Sequence, residues 1–184
     1  MKTIDSYSRL WTRVFFFVAL SLAASAQSAQ RLKPEVLHAP SPQPDRIILT
    51  WAGDPATTQA VTWRTDTSVG TALAQIAIEE DGPVFPKRAR NLKAVTEKLS
   101  SNLGDALYHS VRFEGLKPST RYVYRVGDGA NFSEWSQFTT ASDRDAPLEF
   151  IYFGDAQIGI YDFWSRVLRA SFATAPRAQF ILHA

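Results

Sequence analysis

Alternating apolar and polar residues dominate residues 45–139. Within 59–64, for example, Val61 and Trp63 face one side of the chain and their neighbours face the other, which is the period-two pattern of a half-buried strand. About seven such segments with turn residues between them predict a β-sandwich. The predicted strands cover residues 47–51, 59–64, 74–78, an edge strand near 92–96, 108–113, 121–126 and 135–139.

The hydrophobic pattern changes after the predicted sandwich. The apolar run 150–153 predicts a strand covered on both faces, and the whole strand is expected over 148–153. Asp162 is the predicted N-cap of an amphipathic helix that ends at Pro176, and a second strand is predicted over 179–183. This strand–helix–strand unit predicts a parallel sheet, and therefore the start of an α/β domain.

Residues 1–26 have the pattern of a secretory signal peptide. A basic segment precedes an apolar run at 14–24, and small residues at 24–26 suit a signal peptidase. The apolar run is shorter than the roughly 20 residues that a membrane-spanning helix needs. We therefore expect a secreted or periplasmic protein with no membrane attachment after cleavage. An uncleaved N-terminal anchor is the alternative.

The net charge changes when this leader is set apart. Lys2, Arg9 and Arg13 outnumber Asp5, and they account for the formal charge of +2. Residues 27–184 therefore hold 17 basic and 17 acidic residues, without a basic stripe, so no nucleic-acid partner is expected. The chain has no cysteine, which excludes disulfides and thiolate metal sites.

These patterns predict the domain organisation. Residues 27–44 are rich in proline and are expected to form an extended lead-in to the sandwich at 45–140. Residues 141–147 form a polar linker. The α/β domain is expected to begin at 148 and to be incomplete, because its second strand is only finishing as the chain ends.

Asp155 is the candidate metal ligand. It follows Gly154 at the end of the first α/β strand, and ligands gather at the carboxyl ends of strands in open α/β sheets. A carboxylate at that edge suits a divalent or trivalent metal ion. The same residue could instead cap backbone donors in a turn. The residue pattern by itself leaves both interpretations open.

Two stretches resemble known families. The connection Leu116-Lys-Pro-Ser-Thr-Arg-Tyr122 resembles the fibronectin type III pattern, in which Tyr122 would be the tyrosine corner. An exported sandwich, a short linker and then a strand ending in Gly154-Asp155 resembles the purple acid phosphatases, within the calcineurin-like metallophosphoesterases. Four large aromatic side chains of the strands are expected to lie in the sandwich core: Trp51, Trp63, Tyr122 and Tyr124.

The second resemblance implies a chemistry. It implies a binuclear metal centre of iron with zinc, manganese or iron, with Asp155 as one ligand, and a small-molecule phosphate ester as substrate. The family's later motifs, an Asn-His pair and two His-bearing loops, lie outside this chain. The catalytic residues are therefore unknown, and the chain alone is expected to be inactive.

Nearby polar residues have more modest predicted roles. Gln157 stands where relatives carry glycine or histidine, and because an amide oxygen binds metals weakly, we predict that it supports a ligand or faces the substrate. His183 is expected to pack at the end of a strand rather than to touch phosphate. Neither His38 nor His109 has a partner at ligand spacing.

Two functions are compatible with these patterns. The first is an exported metallophosphoesterase. The second is a secreted binding module in which the sandwich is the working part. The apolar residues of 148–184 favour the first, because one helix and two strands cannot bury so much apolar surface alone. The sequence leaves the oligomeric state open.

Overall fold

The computed structural model describes residues 33–184, so the predicted signal peptide lies outside the described residues. The chain divides into two compact units at Ala39 and Pro40. In the first unit, the described residues contain one helical turn, α1 (Pro34–Leu37), in which the Leu37 N–H donates to the Lys33 carbonyl oxygen at 2.9 Å. The expectation of an extended lead-in is wrong for this turn. Within 33–184, no helix is long and apolar enough to cross a membrane.

The second unit contains the predicted β-sandwich. Among the described residues, it consists of two four-stranded antiparallel sheets, in the orders β1-β2-β6-β5 and β4-β3-β7-β8. A single turn of 3-10 helix, Phe85–Arg88, connects β3 to β4. The strands are β1 (Asp45–Thr50), β2 (Gln59–Thr65), β3 (Leu73–Ile78), β4 (Arg90–Lys93), β5 (Val95–Ser101), β6 (Gly104–Phe113), β7 (Arg121–Gly127) and β8 (Ser136–Thr139).

The sandwich core follows from the alternation in the sequence. Successive side chains of a strand point to opposite faces, so every second residue reaches the space between the sheets. Trp63 and Phe113 are fully buried there, opposite Ile76 and Val126 of the second sheet. Burying a side chain of this size contributes roughly 1.5–3 kcal/mol. The apolar face of each sheet therefore holds the sandwich together.

The single edge strand predicted at 92–96 is wrong. The segment forms two strands, because the chain leaves one sheet and enters the other at Ala94. β4 pairs with β3, and β5 pairs with β6. The Ala94 N–H donates to the Ala72 carbonyl oxygen at 2.9 Å, which anchors the crossing. β6 also begins at Gly104, earlier than predicted, since it needs this length to pair with all of β5.

The strand–helix–strand unit is present. β9 (Phe150–Phe153) and β10 (Phe180–His183) are parallel neighbours, with a π-helical turn (Ile160–Trp164) and α2 (Ser165–Thr174) between them.

The predicted N-cap at Asp162 is wrong. The helix begins earlier, after Gly159, whose φ of 66° ends the preceding loop. Since the Asp162 N–H already donates to the Gly159 carbonyl oxygen at 3.0 Å, Asp162 belongs to the first turn.

The prediction that β9 is covered on both faces is also wrong. Its exposure alternates: Ile151 and Phe153 are partly or fully buried, whereas Phe150 and Tyr152 are exposed. The physical reason is that helical residues lie against one face, where Trp164 meets Phe153 with ring centroids 4.9 Å apart.

Trp51 corrects another expectation. The sequence predicts it in the sandwich core, but it lies just beyond β1 and is 46% exposed. Its ring meets Phe180 of β10 at a centroid distance of 4.5 Å. Trp51 therefore links the sandwich to the parallel strands. Trp63, Tyr122 and Tyr124 are buried as predicted.

Candidate functional site

The candidate site is the edge at which the two parallel strands end. Phe153 and His183 are paired as the last residues of β9 and β10. The Ala184 N–H donates to the Phe153 carbonyl oxygen at 3.1 Å, which extends the pairing past His183. Gly154 and Asp155 follow Phe153 directly. The fold therefore places the Asp155 backbone at the carboxyl edge of the sheet, as the order of elements predicts.

Asp155 is exposed, and its carboxylate contacts one predicted neighbour. The side-chain amide of Gln157 donates a hydrogen bond to Oδ2 of Asp155. An amide donor at one carboxylate oxygen restrains the carboxylate and leaves the other oxygen available. The structure thus brings together the two residues that the sequence selected at this edge. Their roles at a metal stay predictions.

A cleft of about 370 Å³ opens beside Asp155. Asp155 and Gln157 form its polar side, and apolar side chains of the π-helical turn and α2 form the other. The sequence indicates an amphipathic helix here but not this cleft, because the cleft depends on how the loop after β9 lies against the helix. The apolar lining residues are Ile158, Ile160, Phe163, Trp164 and Val167.

His183 packs at the end of β10, as expected. Its ring lies edge-on to Trp164 with centroids 5.6 Å apart, and Trp164 in turn packs on Phe153. The aromatic contacts fix the position of Trp164 across the ends of both strands.

The described residues do not form a metal site by themselves. No group of three or more His, Asp or Glu residues that could hold a metal ion occurs within 33–184. Asp155 suits a hard metal ion as one oxygen ligand. It therefore fits the centre that the resemblance implies as one contributor, and such a centre would need further ligands from outside the described residues.

The other two histidines belong to other elements. His38 follows α1, in the first unit. His109 of β6 is 1% exposed, and its two ring nitrogens are hydrogen-bonded to hydroxyls, Nε2 to Thr65 at 2.8 Å and Nδ1 to Thr96 at 2.9 Å. Burial lowers the pKa of His109. The arrangement holds a neutral imidazole inside the sandwich.

The predicted tyrosine corner is present. The Tyr122 hydroxyl accepts a hydrogen bond from the Lys117 N–H at 2.9 Å. Thr140 completes the corner, because its hydroxyl donates to the Lys117 carbonyl oxygen at 2.6 Å and accepts from the Thr120 N–H at 2.9 Å. This corner is the mark of a fibronectin-like sandwich.

A family model decides what the sandwich is. The model of the purple acid phosphatase N-terminal domain matches residues 44–140, which is more than half of the chain. The chain belongs to this family. The purple acid phosphatase N-terminal domain of this chain is the fibronectin-like sandwich of β1 to β8, and it bears out the resemblance that the sequence suggested.

Similar solved structures are sandwich proteins at low identity. A computationally redesigned β-sandwich protein is 22% identical, covering 55% of this chain and 97% of its own, with a TM-score of 0.37. The FN1-FN3 domains of chicken CNTN1 are 22% identical, covering 56% and 33%, with a TM-score of 0.39. Astrotactin-2, a vertebrate-specific, perforin-like membrane protein, is 17% identical, covering 57% and 22%, with a TM-score of 0.40. No curated protein matches the chain.

Proposed function

We propose that this chain comes from an exported, metal-dependent phosphoesterase that hydrolyses phosphate monoesters, and that Asp155 is one of its metal ligands. One observation carries the proposal: a purple acid phosphatase N-terminal domain is followed, in the same chain, by two parallel strands with a carboxylate at their carboxyl edge. The sandwich alone would be compatible with a binding module. The two parallel strands with a helix between them favour the enzyme, since in this proposal they would be the first elements of an α/β domain.

The residues at the edge have distinct parts in this proposal. Asp155 would hold a metal ion through a carboxylate oxygen, and Gln157 would orient that carboxylate through its amide hydrogen bond. The metal centre, when bound, would supply a hydroxide nucleophile and neutralise the charge of the phosphate. The apolar side of the cleft, including Phe163 and Val167, would border the substrate beside the carboxylate.

The test is made on the full-length protein. Asp155→Asn keeps the size of the side chain but removes its charge. We expect it to lower both the bound metal, measured by elemental analysis, and kcat/KM for an aryl phosphate by at least about tenfold. Asp145→Asn is the matched control, because Asp145 is an exposed carboxylate of the linker. Full metal content and activity in Asp155→Asn would refute the assignment.

Export has a separate test. The proposal requires the leader to be removed after Ala26, which N-terminal sequencing of the protein recovered outside the cytoplasm can establish. We expect the mature protein to begin at Gln27. A protein that keeps Met1 and stays in the cytoplasm would show that export is wrong, without deciding the role of Asp155.

A further inference from the structure

A second cleft lies in the sandwich, away from Asp155. Its volume is about 310 Å³, and it opens between the β3–β4 connection and the tyrosine corner. The floor is apolar: it is formed by Ile76, Ala77 and Ile78 of β3, next to Tyr122, and of these three β3 side chains only Ile78 is exposed, at 41%. The rim is charged, and it consists of Glu80, Arg88, Arg90 and Lys117.

The rim has an excess of positive charge. Arg88 is paired with Glu80, whose two carboxylate oxygens accept from Nη1 of Arg88 at 2.8 and 2.6 Å. Arg90 and Lys117 are exposed, and neither side chain has an ion-pair partner among residues 33–184. One acid therefore faces three bases, and two cationic groups stay uncompensated at the mouth of the cleft.

Tyr122 adds a buried polar group. The residue is 6% exposed, and its hydroxyl oxygen accepts from the Lys117 N–H at 2.9 Å. No acceptor for the phenol hydrogen occurs in the described part of the chain, although a buried hydroxyl normally donates as well as accepts. A ligand oxygen would supply that acceptor.

We propose that this cleft binds a small organic anion, with a phosphate or carboxylate head at Arg90 and Lys117 and an apolar remainder over Ile78. Charge-assisted hydrogen bonds from guanidinium and ammonium groups are the strong contacts for such heads. An apolar floor with a few polar groups at the rim is the usual build of a small-molecule site. All residues of this site belong to the sandwich, so the test of this proposal does not depend on the role of Asp155.

The first experiment is an NMR titration of the full chain at low salt with four probes: phenyl phosphate, benzoate, inorganic phosphate and phenol. We expect phenyl phosphate or benzoate to shift the amides of Ile78 and Lys117. Inorganic phosphate and phenol should each bind at least about tenfold more weakly, because each lacks one half of the ligand. Whichever of phenyl phosphate and benzoate binds more tightly shows whether the site prefers a phosphate or a carboxylate group. Equal affinity for phenol, or for inorganic phosphate, would overturn the proposal.

Variants localise the site. Arg90→Gln and Lys117→Gln should each weaken binding about tenfold, and raising the salt concentration should weaken it further. Lys93→Gln is the matched control, because Lys93 is exposed on the same strand as Arg90 and lies outside the cleft lining. Circular dichroism checks that each variant is folded, and the two variants test the site separately. Binding that neither substitution nor salt changes would refute the site.

Discussion

At the scale of single residues, two buried polar side chains of the sandwich, Arg64 and His109, have hydrogen-bonding partners, whereas the indole N–H of Trp63 has none among the described residues. The side chain of Arg64 is 6% exposed, and it donates from Nε and Nη2 to the two oxygens of Asp45 at 2.8 and 2.5 Å. The hydrogen bonding to Asp45 raises the pKa of Arg64. Removing Asp45 would be costly, because the charge of Arg64 would stay buried without this carboxylate. Arg64 and Asp45 therefore act as a structural clamp between β1 and β2.

His109 is satisfied without a charged partner. Thr65 donates its hydroxyl to the Asp66 carbonyl oxygen at 3.0 Å, so it can only accept from the imidazole. The proton of the neutral ring therefore lies on Nε2, and Nδ1 accepts from Thr96. A protonated ring would bring an uncompensated charge into the sandwich.

His109 predicts a loss of stability in acid. Because burial lowers its pKa below the ordinary 6.5, the unfolded chain binds a proton more readily than the folded chain. Stability is therefore retained above pH 6.5 and falls as the pH drops from 6.5 towards the folded pKa. The slope for one proton is at most about 1.4 kcal/mol per pH unit. Urea unfolding at a series of pH values measures it.

His109→Gln provides the comparison. Glutamine keeps a donor and an acceptor but does not titrate, so the variant should show a flatter stability profile over this acid range. Its stability at neutral pH should be lower, because the amide fits the two hydroxyls less well. Parallel profiles for both proteins would show that His109 does not control the acid response.

At the scale of elements, the tyrosine corner was predictable and the sheet crossing was not. The corner is encoded in the short stretch from Leu116 to Tyr122, so its pattern is visible locally. The crossing at Ala94 depends on which strands β4 and β5 pair with: β4 turns back to the preceding strand β3, whereas β5 pairs with the following strand β6 in the other sheet. Local periodicity carries no information on such pairing.

Removing the tyrosine hydroxyl should destabilise the sandwich. Tyr122→Phe leaves the Lys117 N–H without its acceptor, and an unsatisfied polar group of this kind costs about 1–3 kcal/mol. Tyr152→Phe is the control, because Tyr152 is 60% exposed on β9. Urea unfolding measures both variants. If Tyr122→Phe unfolds at the same urea concentration as the unsubstituted chain, the corner does not stabilise the fold.

The side chain of Arg125 connects the β7–β8 connection to β3. The guanidinium of Arg125 lies 4.0 Å from the ring centre of Phe132 and 4.7 Å from that of Trp135, and Nε donates to Gln75 Oε1 at 2.7 Å. Arg125 is half-buried, and each cation–π contact of this kind contributes on the order of 1 kcal/mol. The sequence pattern predicts Trp135 in a strand, but Trp135 precedes β8 and its ring contacts the guanidinium of Arg125.

At the scale of the whole second unit, the sandwich and the parallel strands meet through aromatic rings. Phe180 touches Trp51 and also stacks on Phe150, with centroids 5.0 Å apart and planes 4° from parallel. Much of the remaining apolar surface of β9 and β10 is exposed, including Tyr152 and Leu182. Trp51 is therefore an anchor of the parallel strands on the sandwich.

Trp51→Ala should loosen the parallel strands but spare the sandwich. An aromatic pair contributes about 0.5–1.5 kcal/mol beyond its buried area, so cleavage within 148–184 should be about two- to tenfold faster in limited proteolysis. The unfolding midpoint of the sandwich should change little, because Trp51 is 46% exposed.

Ile48→Ala is the control for that experiment. Ile48 is 57% exposed on β1, and the substitution removes a comparable surface group near Trp51 in sequence. It should leave the rate of cleavage unchanged. Equal rates in Trp51→Ala and the unsubstituted chain would mean that the ring contact does not hold the strands in place.

The sequence by itself determined the sandwich, the tyrosine corner, the strand–helix–strand unit and the position of Asp155 after β9. Each of these follows from periodicity or from a short motif, and both are local properties of a chain. Only the tertiary structure decided that the chain changes sheets at Ala94 and that Trp51 lies outside the core, in contact with Phe180. It also decided that Arg90 and Lys117 share the rim of one cleft. These features join residues far apart in sequence, whose contacts arise from strand pairing and packing rather than from any local pattern.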